Sequence, residues 1–416
     1  MKASKSDYVH RFLVNATGRL FDKRDLSLFN AEEIFAELSR AEEISQKNRD
    51  ECGNFEWQFS EKKWDSKFFY PYLDKHIAEV EKKLTAKYSA PSLARWPDNH
   101  VFALCITHDV DLVSKYTNLW QILRRINRLL RSDPPKPPKK DLVMQVLADL
   151  SNFRFNHASD PLWRYHEWMA IEERLGFKST FYIFPETLQR PHHWDCNYRY
   201  SDKIRFRNRI MTVAEMLKEI SIRGWEIGLH GSYFSALDEG ILASEKKHLE
   251  EVVGQEIIST RQHYLHYDIY HTTAIHNNAG FKTDSTIGYN RSVGFRCGTG
   301  LPFYTWDNVS GKETRVLEIP QVIMDGGLFF RNSLGYNKEL AIEHCLKVMD
   351  QVEMTRSCLT ISWHPNYIIL PDWVDVFQAI LEEAKRRHAW GTSAGEIYRW
   401  WKEREASLFS QSTVHL

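Results

Sequence analysis

The chain has 416 residues, 43% of them hydrophobic, with 55 basic and 55 acidic side chains in balance. That length suits two or three domains, or one barrel with an appendage. The even charge excludes a nucleic-acid binder held by general electrostatics.

The first 25 residues are charged throughout and hold no apolar run of signal-peptide length. Nowhere do about 18 apolar residues run together, so no membrane span is expected. The six cysteines (Cys52, Cys105, Cys196, Cys297, Cys345, Cys358) form no CxxC pair. They read as reduced thiols, and the expected location is cytoplasmic.

Residues 1–98 read as a polar, helical N-terminal region. AEEIFAELSRAEEISQ and YLDKHIAEVEKKLTAKY carry apolar positions at three- and four-residue spacing, as amphipathic helices do. KYSAPSLARWPDNH breaks that pattern with two prolines and marks a boundary. At Val101–Thr107 the period changes to a short continuous apolar run, a buried strand. The proline-rich RSDPPKPPKK further on can propagate neither helix nor central strand and predicts a loop or linker.

Beyond it the chain alternates. Helices are expected at PLWRYHEWMAIEERLG, TVAEMLKEISIRG, LASEKKHLEEVVG, NKELAIEHCLKVMDQV and DWVDVFQAILEEAKRR. Strands are expected at KSTFYIFPE, WEIGLHG, EIISTRQHYL, VGFRCG, RVLEIP and SCLTISWH. Alternation at this spacing predicts βα units on a parallel sheet. The expected architecture is α/β, a distorted (β/α) barrel over 99–405, with a helical N-terminal extension over 1–98 and a tail over 406–416.

The chemistry-bearing residues recur just past predicted strands, at THDVD, HGSY, RQHYLH and WHPNY. In a (β/α) barrel those ends converge on one face. Asp109 and Asp111 stand two apart and face the same way on an extended segment. Two neighbouring carboxylates are costly unless a cation or proton separates them. A metal held by one, with the other as base, removes that cost. His230, flanked by glycines, suits a ligand reaching into a cleft. Arg261 can orient a carboxylate through a bidentate pair. His364, beside Pro365, suits a general acid.

This order of motifs resembles that of the polysaccharide deacetylase (NodB-like) family over residues 100 to 400, most specifically in THDVD, GWEIGLHGS, TRQHY and KTDSTIGYNRSVGFRCGTGLPF. The last stretch is similar to a subgroup associated with surface-polysaccharide gene clusters. The resemblance implies a distorted barrel and a metal, usually zinc, held by one aspartate and two histidines. It makes Asp109 the base, Asp111 and His230 metal ligands, Arg261 the residue that orients the base, and His364 the acid. Asp284 falls in the fourth motif. The family's second histidine, four residues after the first, is here Phe234. His263 is the first substitute and His266 the second.

The implied activity is Zn2+-dependent (or other divalent-metal-dependent) removal of an N-acetyl group from an amino sugar of a surface-polysaccharide precursor. The expected partner is that acetylated sugar, with neither nucleic acid nor membrane span. Rival readings are a hydrolase of another amide or of an O-acetyl ester, and a non-catalytic glycan-binding protein with a decayed site. Tyr233, Phe234, Trp306 and Trp363 are candidates to line a sugar subsite. Arg296 is a candidate to reach an anionic group or to pair with Asp284.

Overall fold

In the computed structural model the described residues are 5–61, 66–88, 92–115, 160–186 and 189–410, with isolated positions between 140 and 150. The expected loop RSDPPKPPKK lies almost wholly outside them.

The N-terminal region forms α1 (Lys5–Thr17), α2 (Ala31–Leu38), α3 (Ala41–Ser45) and α4 (Tyr72–Lys87). The expected single helix over 31–46 is two. Arg40 takes a left-handed conformation (φ 60°) between them and turns its guanidinium inward.

β1 (Ala103–Val110) is buried along its whole length. α5 (Tyr165–Leu175) and β2 (Thr180–Ile183) follow, then a hairpin of β3 (Lys203–Phe206) and β4 (Arg209–Thr212). α6 (Val213–Ile222) starts at a capping box, in which Thr212 and Glu215 satisfy each other's backbone N–H. β5 (Glu226–Gly231), α7 (Glu239–Val253), β6 (Ser259–Gln262), α8 (Thr272–Asn278) and β7 (Thr283–Asp284) continue the alternation. β8 (Phe303–Asp307) and β9 (Lys312–Glu318) pair antiparallel. β10 (Ile323–Met324), α9 (Asp325–Phe329), α10 (Lys338–Thr355), β11 (Cys358–Ser362), α11 (Pro371–Arg386), β12 (Trp390–Thr392) and α12 (Ala394–Ser410) complete the order.

The main sheet runs β10-β11-β1-β2-β5-β6-β7-β9-β8, with β12 also against β1. Every pairing in it is parallel except β8 with β9. The result is a distorted, open (β/α) barrel with a helical N-terminal region. Parallel strands place all their carboxyl ends on one face, which is the property the site depends on.

Three expectations change. VGFRCG forms no strand: its backbone bends through turns so that Arg296 can enter the interior. EIISTRQHYL is extended only over β6, because the chain then turns sharply at Tyr264. α12 runs to Ser410, past the expected boundary at 405.

The N-terminal helices share one hydrophobic cluster with the barrel, in which Leu13, Ile77 and Leu84 join Cys105, Leu317 and Cys358. Asp74, fully buried on α4, accepts hydrogen bonds from Thr299 Oγ1, from Gly300 N at 2.9 Å and from Ser357 Oγ at 2.5 Å. Glu43 accepts from Arg296 Nε and Nη2, both at 2.8 Å, and from Arg40. All six cysteines are free. Among the described residues no helix is long and apolar enough to cross a membrane.

Candidate metal centre and acid–base pair

The face formed by the strand ends carries all six residues expected there. Asp109 ends β1 and Asp111 follows it; His230 lies on β5; Arg261 lies on β6 and His263 just past it; His364 follows β11. β1 and β6 are separated in the sheet by β2 and β5, so their inward residues meet across the barrel. Residues two apart on an extended segment share a face. Asp109 and Asp111 therefore confront Arg261 and His263 as two i, i+2 pairs. Arg261 Nη1 donates to Asp109 Oδ1 at 2.8 Å, and His263 Nε2 is 3.7 Å from Asp111 Oδ1.

Arg261 is fully buried. It meets Asp109 through one nitrogen and not as the expected bidentate fork. Its remaining N–H groups donate to Thr107 Oγ1 (2.7 Å), Ser285 O (2.8 Å) and Ser285 Oγ (2.8 Å). The fork is thus spent on immobilising the arginine. Burial alone would push the Asp109 carboxyl up, but Arg261, then His230 and His364, outweigh it and hold it below its ordinary value.

One ligand atom each from Asp111, His230 and His263 lies within 4.8 Å of the others. His230 Nδ1 donates to the carbonyl of Arg261 at 2.9 Å, which turns Nε2 toward Asp111. Nε2 lies 3.5 Å from Asp111 Oδ1, which is buried with no hydrogen-bond partner. A carboxylate oxygen set this close to two imidazole nitrogens is placed to share a cation with them. One carboxylate and two imidazoles are a donor set that suits a catalytic divalent ion, with a coordination position left open. Burial lowers His263 to about 3, so its ring is neutral, as a ligand must be. The residues fit such an ion.

His364 Nε2 is 3.5 Å from Asp111 Oδ2. Its Nδ1 donates to Asp325 Oδ1 at 2.8 Å, and its backbone N–H donates to Asp325 Oδ2 at 2.7 Å. Burial opposes the charge on His364, but Asp325 and Asp111 outweigh it and raise its pKa to about 10. The imidazolium is therefore the ordinary form at neutral pH.

Asp325 is the residue that sequence reasoning missed. Its signal was an aspartate between the short apolar run QVIM and a Gly-Gly pair, in the same position past a strand as the motifs that were recognised. Asp284, placed in the fourth motif, accepts instead from Thr286 and from His276 Nδ1 at 2.9 Å, behind the site. Cys196 was also passed over, and its Sγ lies 3.6 Å from His263 Nε2.

His266, the second substitute ligand, is outside the group: its Nδ1 donates to Tyr233 O at 2.8 Å and its ring stacks on Tyr233. Phe234 lies on a 3-10 turn, its ring 3.8 Å from the guanidinium of Arg190. Trp306 and Trp363 are buried in the core and line no sugar subsite. Arg296 pairs with Glu43, not with Asp284 or a ligand. Gly231, next to His230, sits in close quarters, since a Cβ there would lie 2.4 Å from Gln262 Oε1 and would push that side chain aside.

These groups open into a cleft of about 330 Å3. Its walls include Tyr264, Arg291, Phe330 and Tyr367, and also Asp50, Glu51 and Cys52 from the N-terminal region.

No known family profile and no curated protein matches the chain. Solved structures do. A Mycobacterium smegmatis protein provisionally named a polysaccharide deacetylase has TM-score 0.47 and 17% identity, covering 74% of this chain and 93% of its own. The Puue allantoinase has TM-score 0.48 and 14% identity, covering 75% of this chain and 94% of its own. The Xyl-CE4 domain of a multidomain xylanase from the hindgut metagenome of Trinervitermes trinervoides has TM-score 0.34 and 10% identity, covering 72% and 90%. Likenesses this loose decide nothing about the chemistry of this chain, which rests on its own residues.

Proposed function

We propose that the protein is a divalent-metal-dependent hydrolase that removes the acetyl group from the nitrogen of an amino sugar. The carrying observation is the convergence of Asp111, His230 and His263 beside two differently tuned proton carriers, an ionised Asp109 and a charged His364. Asp111, His230 and His263 would hold a divalent ion, Zn2+ or another, which would supply Lewis acidity toward an acyl carbonyl and a water.

Asp109, kept ionised by Arg261, accepts the proton of the attacking water. Arg261 is locked by Thr107 and Ser285, so the carboxylate keeps its aim throughout. His364, kept charged by Asp325, delivers a proton to the departing amine nitrogen. Amide cleavage needs that step, because an unprotonated amine is a poor leaving group. An O-acetyl ester needs it far less, and the investment in the His364–Asp325 pair favours an amide. On the same reading the substrate is a precursor of a surface polysaccharide, acted on in the cytoplasm, a location that the six free cysteines support.

The test is acetate release from N-acetylated against O-acetylated sugars, before and after chelation and with Zn2+ restored. Release from the amide that chelation abolishes and Zn2+ restores supports the reading. Release from the ester alone, or release indifferent to chelation, overturns it.

A further inference from the structure

The two histidines of the proposed metal centre are held in different ways. His230 is fixed through its ring, by the bond from Nδ1 to Arg261 O at 2.9 Å. His263 has no such anchor: its Nδ1 is buried without a hydrogen-bond partner. Its ring is held by packing against Phe184, His230 and Tyr264, at 5.2, 5.0 and 4.5 Å between centroids. With no outer hydrogen bond on its ring, the aim of such a ligand depends on that packing and on the backbone that carries it.

That backbone is unusual. Immediately after His263 two non-glycine residues in succession, Tyr264 (φ 57°) and Leu265 (φ 51°), take the left-handed conformation. L-residues adopt it at a cost, and it persists only where the surroundings hold it. What holds it comes from far away in sequence. Asn54, 1% exposed, donates from Nδ2 to Tyr264 O at 2.6 Å and accepts at Oδ1 from Tyr267 N at 3.2 Å. The single side chain thus brackets the turn. Asn290 Nδ2 donates to the same Tyr264 carbonyl, also at 2.6 Å.

Asn54 is in turn fixed. Asp50 Oδ1 accepts from Asn54 N at 2.8 Å and Cys52 N at 2.9 Å, closing the loop, and Tyr233 OH donates to Cys52 O at 3.2 Å. The same loop forms one wall of the cleft.

We propose that Asn54 is a positioning residue for the metal centre: its side-chain amide holds the strained Tyr264–Leu265 turn and, through it, aims His263. The N-terminal region is then a working part of the site and not an appendage to it. The inference rests on the metal-binding reading of Asp111, His230 and His263.

Asn54→Asp is the discriminating variant. It keeps shape and the acceptor for Tyr267 N, and replaces the donor to Tyr264 O with an oxygen that repels it. Zn2+ affinity of the metal-free full chain is measured by competition with a chromogenic chelator, with His263→Ala as the reference for a lost ligand. Asn54→Asp is expected to weaken Zn2+ binding about 10- to 100-fold. In the metal-free protein it is expected to speed amide hydrogen exchange over residues 263–267 and not over β5. Wild-type affinity together with unchanged exchange overturns the proposal. Should Asn54→Asp fail to fold, Asn290→Asp acts on the same carbonyl from the protein surface, and its unchanged affinity and exchange overturn it equally. A wild-type chain that binds no Zn2+ overturns the proposed function instead, and the metal-free exchange measurement then decides the role of Asn54.

Discussion

Two regions of this molecule bury charge, and they do so in opposite ways. Under the N-terminal helices, Glu43 lies between Arg40 and Arg296, all nearly inaccessible, and the carboxylate is answered on both oxygens. Arg296 has a further acceptor in Gly288 O at 2.8 Å. At the strand ends, Asp111 Oδ1 and His263 Nδ1 are buried without hydrogen-bond partners, and His230 Nε2 stands 3.5 Å from that carboxylate oxygen. A buried network that is fully satisfied fastens structure; one left open holds its groups ready for something else. The contrast separates the ion cluster that binds the N-terminal region to the barrel from the cluster that does chemistry.

Variants on either side sharpen it. The largest effect is expected from Asp109→Asn: acetate release falls about a thousandfold, in the range of a lost general base. Zn2+ content and melting temperature stay near wild type. Retained activity would remove Asp109 from the role of base.

Glu43→Ala is the converse. It strands two buried guanidinium groups and should cost about 3–5 kcal/mol in urea unfolding. Zn2+ affinity of the folded fraction should hold. Stability near wild type would mean that the cluster is not what fastens the two parts.

Asp325→Asn should move the pH dependence. Burial opposes the charge on His364, and Asp325 is the largest of the groups that overcome it. The acid form is present below the raised pKa and lost as pH climbs through it. Removing the carboxylate therefore shifts the alkaline limb of kcat/KM to lower pH, with a loss of about 10-fold near neutrality. An unmoved limb would dissociate the pair from proton delivery.

The smallest effect is expected at Asp74, which burial raises from 3.8 to about 6. The folded state binds its proton more tightly than the unfolded chain does. Its contribution is complete below pH 3.8 and is lost as pH rises through 6. Asp74→Asn should flatten stability against pH across that window. A slope unchanged by the substitution would show that another group sets it.

Much of this was legible in the chain. The period change at Val101, the glycines that close α5, α6 and α7, and the charged motifs at successive strand ends are local signals, and local geometry honours them. Gly176 and Gly254 stand in left-handed conformations just past α5 and α7. What failed was non-local. VGFRCG has the composition of a strand, yet Arg296 is drawn into the interior by Glu43, 253 positions earlier. The pairing of His364 with Asp325, 39 positions away, likewise leaves no spacing rule to read.

The sequence by itself determined the alternation of elements and the set of residues at the strand ends, because helix and strand periods and the two-residue repeat are properties of neighbouring positions. Only the tertiary structure decided which histidine stands beside Asp111, which aspartate serves His364, and that residues 50–52 wall the cleft. Those are distances between segments that meet only when a parallel sheet curls and a helical region closes against it.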